Sequence, residues 1–93
     1  MTPRRVQLRR ARGWRKPADA VVVARPTKWH NPYRVSEYGR AEALQLYRAY
    51  LDEHPDVVAE ARRALAGRDL ACWCPLDVPC HADILLSAVN GSP

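Results

Sequence analysis

Two short runs of consecutive apolar residues limit what this chain can fold into. Residues 20–24 are Ala-Val-Val-Val-Ala, and residues 70–74 are Leu-Ala-Cys-Trp-Cys. Such runs are typical of strands that are buried on both faces. Two buried strands that are separated by helices pair most simply in parallel, through a right-handed crossover. The runs therefore predict an α/β domain with a small, mostly parallel sheet.

Helical periodicity occupies the interval between the runs and the segment after them. Apolar residues recur at helical spacing over residues 39–51. A second stripe extends from Pro55, which suits a helix start, to Gly67, which suits a helix end. A third helix is expected to begin at residues 80–81 and to end at residues 90–91. The pattern predicts three helices.

The segment before the first run completes the predicted sheet. Residues 5–9 alternate apolar and polar side chains, which favours a short edge strand with Val6 and Leu8 facing inward. The predicted order is then strand, strand, helix, helix, strand, helix, a Rossmann-like order with three strands. We expect residues 1–93 to form a single domain, of a size at which a homodimer interface or a bound metal often adds stability.

Positive charge is concentrated at the start of the chain. Seven of the 15 basic residues precede the first acidic residue, Asp19, whereas the rest of the chain has eight basic and ten acidic residues. Residues 1–16 are therefore expected to form a basic N-terminal arm or edge strand; such an arm favours a phosphate-rich partner. The candidate nucleic-acid-binding residues are Arg9, Arg10, Arg12 and Arg15.

The compartment follows from hydropathy and cysteine content. No run of about 18 apolar residues occurs, and the first residues include arginines in place of an apolar signal region. We therefore expect a cytoplasmic protein without a membrane span. Its three cysteines are an odd number, and in a reducing compartment they serve as metal ligands, reactive thiols or core residues more often than as disulfides.

Two polar stretches follow the two apolar runs, where parallel strands would share one edge of the sheet. Ligands bind beyond the carboxyl ends of the strands in such sheets. The first stretch supplies the candidate ligand-binding residues Arg25, Lys28, Trp29 and Asn31. We expect the two cations to pair with phosphate, the tryptophan to stack and the asparagine to orient the ligand. The second stretch supplies the candidate catalytic residues Cys80, His81 and Asp83.

One interpretation of the second stretch is a metal site. Cys72, Cys74, Cys80 and His81 provide the Cys₃His set that is common in structural zinc sites. Two geometric points count against it. In a regular strand the Cα atoms of Cys72 and Cys74 lie roughly 6.5 Å apart, which is wide for two ligands of one ion unless the strand bends. The adjacent Cys80 and His81 would also diverge on a helix.

Two other interpretations stay open. In the first, the stretch is a catalytic or ligand-binding corner, because Cys80 at a helix N-terminus would have a depressed pKa, and His81 or Asp83 could exchange a proton with a bound group. In the second, Cys72 and Cys74 are small buried apolar residues, and the helix is capped by Cys80, His81 and Asp83.

Four motifs resemble those of one protein family. They are Gly-Trp-Arg at 13–15, Arg-Pro-Thr-Lys-Trp-His-Asn-Pro-Tyr at 25–33, Gly-Arg-Asp-Leu-Ala-Cys-Trp-Cys-Pro at 67–75 and Pro-Cys-His-Ala-Asp at 79–83. On these residues the chain resembles domain of unknown function 4326, a family of small bacterial and phage proteins, over nearly its whole length. It departs from the family at His30, where the family often has glycine. Since the family has no established activity, the resemblance implies which residues matter but not what they do.

These patterns lead to one expected function and two alternatives. We expect the chain to bind a nucleotide or a nucleic-acid-derived phosphate ligand at the corner where the two polar stretches meet; whether it also catalyses a reaction is left open. The first alternative is a zinc-stabilised adaptor that binds nucleic acid or protein. The second is a small phage-type inhibitor of a host protein, with the basic arm as its contact surface.

Overall fold

The computed structural model describes residues 3–25 and 27–90, and in these residues it contains three strands and four helices. In chain order they are β1 (Arg5–Gln7), β2 (Val21–Val22), α1 (Val35–Tyr38), α2 (Arg40–Glu53), α3 (Pro55–Leu65), β3 (Leu70–Cys72) and α4 (His81–Asn90).

The three strands form one parallel sheet in the order β1-β3-β2. Ala71 of β3 lies opposite Val6 of β1 on one side and Val22 of β2 on the other. The ladder continues past β1, where the backbone N–H of Leu8 donates to the carbonyl of Cys72 at 2.7 Å. The predicted α/β class, with a small parallel sheet, is confirmed.

Residues on the two faces of the sheet belong to two separate cores. On the helical face, Leu70 and Cys72 pack with Val23 and with apolar residues of α2, α3 and α4. On the other face, Ala71 packs with Leu8 and Ala20 in a smaller cluster. Each fully buried leucine of the larger core contributes roughly 2 kcal/mol by leaving water. The helical face therefore carries most of the stabilisation.

The three predicted helices are present, and their ends have local causes. Pro55 occupies the first turn of α3, where its missing N–H costs no hydrogen bond. Gly67 follows α3 with a φ of 79°, a left-handed conformation that glycine adopts without strain. Gly39, with a φ of 80°, separates α2 from the short α1.

The structure corrects the predictions in three places. α1 is an additional helix that periodicity did not predict, because none of its four residues is buried. The strand expected to be fully buried at 20–24 is the two-residue edge strand β2, whose valines are only half-buried. β3 ends at Cys72, after which the chain bends and Trp73 is 46% exposed. None of the described helices is long and apolar enough to cross a membrane.

Candidate functional site

The carboxyl ends of the three parallel strands meet at one edge of the sheet, and the segments that follow β2 and β3 surround a cavity of about 300 Å³. The cavity is lined by Ala24, Arg25, His30, Asn31, Tyr33, Arg34, Val35, Ser36, Arg40, Leu44, Cys72, Trp73, Cys74, Cys80 and His81. The structure thus brings together the two polar stretches, which lie some 40 residues or more apart in sequence.

The three cysteines, Cys72, Cys74 and Cys80, form a compact group at this edge of the sheet. We call this group the cysteine cluster. Their three Sγ atoms all lie within 4.8 Å of one another, and the Sγ atoms of Cys72 and Cys80 are 3.0 Å apart. Cys72 and Cys80 are buried, whereas Cys74 is half-buried. All three are free thiols.

Local backbone geometry explains why the cluster can form. The strand ends at Cys72 and the chain bends at residues 73–74, so the wide spacing of a regular strand does not apply to Cys74. Cys80 lies just before the first residue of α4 instead of inside the helix, so its side chain does not diverge from His81 as two helical neighbours would. Neither geometric point applies to this fold, but the structure groups only the three cysteines, and His81 lies outside the set of ligand atoms that are within 4.8 Å of one another.

The orientation of His81 is fixed by a backbone carbonyl. Its Nε2 lies 2.8 Å from the carbonyl oxygen of Val23. A carbonyl oxygen only accepts hydrogen bonds, so Nε2 carries the proton of the neutral ring. The lone pair then resides on Nδ1, which lies 3.5 Å from the Sγ of Cys80. Burial lowers the pKa of His81, which favours this neutral form.

The thiols of the cluster differ in acidity. Hydrogen bonds from the thiols of Cys72 and Cys74 lower the pKa of Cys80 far below its usual range. The backbone N–H of Ala82 and the guanidinium of Arg5 act in the same direction. The pKa of Cys72 is raised, chiefly by its hydrogen bonds with Cys74 and Cys80. Cys80, at the positive end of α4, is therefore the more acidic of the two buried thiols.

A buried arginine lies beside the cluster. The side chain of Arg5 is only 6% exposed, and its Nη2 donates to the carbonyls of Pro75 at 3.0 Å and Val78 at 2.7 Å. Its Nη1 makes no hydrogen bond within the described residues and lies 3.4 Å from the carboxylate of Asp83. This carboxylate also accepts the backbone N–H of Cys80 at 3.0 Å, as in a capping box. Arg5 thus joins β1, the loop after β3 and α4.

Three arginines, Arg25, Arg34 and Arg40, line the cavity. We therefore call the cavity the arginine pocket. Arg25 donates to the carbonyl of Asn31 at 2.9 Å, and Arg40 donates to the carbonyl of Pro79 at 2.9 Å. Among the residues that line the pocket there is no Asp or Glu. Its potential is therefore positive, which favours an anionic ligand.

Comparison with known proteins agrees with the four motifs found in the sequence. The family model described as Domain of unknown function (DUF4326) matches residues 6–91. The chain belongs to this family. No curated protein matches the chain, and no solved structure matches it. All the residues that line the arginine pocket lie inside the part of the chain that this DUF4326 match covers.

The candidate ligand-binding residues of this DUF4326 domain divide into two pairs. Arg25 and Asn31 line the arginine pocket. The amide of Asn31 also holds the loop, because it donates to the carbonyl of Ala43 and accepts the N–H of Tyr33. The other pair, Lys28 and Trp29, lies outside the pocket lining.

Lys28 and Trp29 have contacts of their own. Lys28 pairs with Glu60 of α3, and its ammonium lies 5.0 Å from the centre of the Trp29 ring. Trp29 is 9% exposed and belongs to the larger core. A buried indole is a poor platform for a base, so an exposed aromatic residue of the pocket, Trp73, is better placed to stack.

Two of the three pocket arginines and the buried Arg5 were missed by sequence reasoning. Arg34 and Arg40 flank α1, the helix that periodicity did not predict. Arg5 was counted as part of the basic arm. A signal for Arg5 was present in the alternation over residues 5–9, because a side chain at that position must face away from Val6 and toward the helical face.

The candidate catalytic residues are also divided by the fold. Cys80 and His81 line the arginine pocket, whereas Asp83 is outside its lining and is engaged by Arg5 and by the N–H of Cys80.

Two of the four candidate nucleic-acid-binding residues line a second cavity. The guanidinium of Arg10 lies 4.9 Å from the centre of the Trp73 ring. Arg9 and Arg15 line a cavity of about 360 Å³, and Arg12 is exposed.

Proposed function

We propose that this chain binds a nucleotide or another nucleic-acid-derived phosphate ligand in the arginine pocket. The observation that carries the proposal is the presence of three arginines, and no carboxylate, around one cavity at the carboxyl edge of a parallel sheet. Guanidinium groups match phosphate oxygens through paired, charge-assisted hydrogen bonds. This edge is also where ligands bind in open parallel sheets.

The pocket offers separate places for the two halves of a nucleotide. Arg25, Arg34 and Arg40 would hold the phosphate, and the exposed ring of Trp73 would stack on the base. Arg40 is held in place by its bond to Pro79 before a ligand arrives, so less side-chain freedom is lost on binding. Asn31 would orient the ligand through the loop that it stabilises.

Any turnover of the ligand would fall to Cys80 and His81, because both line the pocket. The lone pair of His81 Nδ1 is directed at Cys80, so His81 could accept the proton of the Cys80 thiol. Asp83 would act on them only indirectly, by capping α4 at Cys80.

Calorimetric titration with nucleoside 5′-monophosphates and 5′-diphosphates tests the proposal. We expect Arg34→Gln and Arg40→Gln each to weaken binding about tenfold to hundredfold, since each removes a hydrogen bond to a charged group. Arg63→Gln, at an exposed position of α3, is the matched control and should leave the affinity unchanged. Absence of binding by the wild type, or equal affinities in all variants, would contradict the proposal.

The cysteine cluster favours a second role, that of a zinc-stabilised domain. Tetrahedral zinc with Zn–S bonds of roughly 2.3 Å places its ligand atoms somewhat under 4 Å apart. The three sulfur atoms lie within 4.8 Å of one another, and those of Cys72 and Cys80 are 3.0 Å apart. His81 Nδ1 lies 3.5 Å from the Sγ of Cys80 but outside the group of three, so it would have to move closer to complete a Cys₃His set. Val23 would supply the outer hydrogen bond that orients a histidine ligand.

Charge balance also supports a metal at the cluster. Three thiolates and a neutral imidazole around Zn²⁺ leave one net negative charge. The buried guanidinium of Arg5 supplies one positive charge beside it, which is shared with the carboxylate of Asp83 at 3.4 Å.

Metal analysis of protein purified without added zinc tests this second role. About one equivalent of zinc, with unfolding on addition of a chelator, is the expected result. Metal-free protein that is fully folded would exclude it without affecting the proposed phosphate binding.

A further inference from the structure

A second cavity lined by arginines lies beside the loop that forms one wall of the arginine pocket. We call it the arm cavity; it measures about 360 Å³ and its lining includes Arg4, Arg9, Arg15, Trp14 and Leu76. Like the arginine pocket, it has no Asp or Glu among its described lining residues. Arg5 also lines it, but the charge of Arg5 faces Asp83.

The loop of residues 73–79 connects the two cavities. Its first residue, Trp73, lines the arginine pocket, and Leu76 lines the arm cavity. The guanidinium of Arg10 lies over the Trp73 ring, so the arm touches the wall of the pocket. Both side chains of this loop are unusually exposed for large apolar residues, at 46% for Trp73 and 55% for Leu76.

We propose that the two cavities and the loop between them form one binding path for single-stranded nucleic acid. One phosphate would occupy the arginine pocket, a base would stack on Trp73, and further phosphates would pair with Arg9 and Arg15 of the arm. This inference rests on the proposed function, because the arginine pocket holds the first phosphate.

The arrangement of charge and aromatic rings favours an oligonucleotide over a single nucleotide. A mononucleotide can pair with only one of the two groups of arginines. The chain has one group in the arginine pocket and one in the arm cavity, with the exposed ring of Trp73 between them. Basic tracks interleaved with exposed aromatic residues are the common design of proteins that bind single strands. Asp77 is the one acidic residue within the loop 73–79, and it lines neither cavity.

The same features favour single strands over duplexes. Stacking on Trp73 requires an unpaired base, since the bases of a duplex are already stacked within it. A base that enters over Trp73 would replace Arg10, whose guanidinium would then be free to pair with a neighbouring phosphate.

The test compares thymidine 5′-monophosphate, a labelled ten-nucleotide oligothymidylate, the oligouridylate of the same length and a duplex. Calorimetry gives the affinity for the mononucleotide, and fluorescence anisotropy gives the affinity for the polymers. The arm variant is Arg9→Gln with Arg15→Gln. Its matched control is Arg48→Gln with Arg63→Gln, which removes the same charge from exposed positions of α2 and α3.

We expect the single strands to bind at least tenfold more tightly than the mononucleotide and than the duplex. The arm variant should lose affinity for single strands, keep its affinity for the mononucleotide, and show a salt dependence reduced by about 1.4 in log–log slope, because two phosphate contacts are lost. Trp73→Ala should weaken single-strand binding about fivefold to hundredfold. The tighter of the two single strands identifies DNA or RNA as the natural partner.

Three results would overturn the inference while leaving the proposed function intact: an oligonucleotide that binds no more tightly than the mononucleotide, a duplex that binds as well as the single strand, or an arm variant equal to its control. If neither the mononucleotide nor the polymers bind, the proposed function fails as well.

Discussion

The cysteine cluster and the arginine pocket share a wall but use their polar groups in opposite ways. Two of the thiols and the side chain of Arg5 are buried, and most of their polar atoms are directed at one another, at His81 or at loop carbonyls. The pocket arginines lie around an open cavity, where a guanidinium retains donors after its contacts with the protein. Groups that are satisfied internally stabilise the fold, whereas groups with free donors can bind a ligand. Substitutions in the two regions should therefore separate stability from affinity.

The largest effect is expected from Cys80→Ser. Cys80 is 1% exposed and contacts both Cys72 and His81, so the change disrupts the centre of the cluster. We expect the free energy of unfolding to fall by roughly 4 kcal/mol and, if the cluster holds zinc as proposed, the metal to be lost. Denaturant unfolding with metal analysis measures both. Cys74→Ser, at a half-buried position, is the comparison and should cost less; a Cys80→Ser protein as stable as the wild type would refute a structural cluster.

Arg5→Met should give the next largest loss of stability. The change leaves the Asp83 carboxylate without its cation and removes a guanidinium that lowers the pKa of Cys80, at a cost of about 2 kcal/mol once the partial exposure of Asp83 is considered. The control is Arg4→Met. Arg4 bonds to Asp69 through its backbone N–H and not through its side chain, so the substitution keeps this hydrogen bond. If the two variants unfold at the same denaturant concentration, the buried guanidinium has no stabilising role.

Asp83→Asn distinguishes a capping residue from a catalytic one. Its carboxylate accepts the N–H of Cys80 and faces Arg5, so we expect a loss of about 1 kcal/mol in thermal unfolding. Nucleotide affinity should stay within twofold of the wild type, because Asp83 is outside the pocket lining. A tenfold loss of affinity with unchanged stability would instead assign Asp83 to ligand binding.

The smallest effect is expected at the ion pair between Lys28 and Glu60. Their side chains are 64% and 47% exposed, and exposed pairs contribute at most about 0.5 kcal/mol. A double-mutant cycle of Lys28→Ala and Glu60→Ala measures the coupling. We also expect the nucleotide affinity of Lys28→Ala to equal that of the wild type. A clear loss of affinity would show that Lys28 contributes to ligand binding.

Sequence patterns predicted the main elements because each depends on local chemistry. The valines after Ala20, the stripe of α2 and the turn at Gly67 each carry their own signal of strand, helix or helix end. The same logic predicted that the parallel strands would share a carboxyl edge.

The details of the site depend on interactions that no local pattern encodes. The bend after Cys72, which brings the third thiol to the cluster, occurs because the ladder ends there. Arg34 and Arg40 reach the pocket only because an extra helical turn lies between them. Trp29, which is predicted to stack on a ligand, belongs to the larger core and lies outside the lining of the arginine pocket, because its ring packs with apolar residues that are distant in sequence.

The middle strand of the sheet is the last one in the chain, and this has a consequence for biosynthesis. β1 and β2 each bond to β3 and, among the described strands, not to one another. During translation, neither of them has a partner until residues 70–72 have left the ribosome. The sheet must then close over long sequence separations, which slows folding. Until that moment the nascent polypeptide exposes its valine-rich segment, so chaperone capture or early condensation of α2 with α3 would protect it from aggregation.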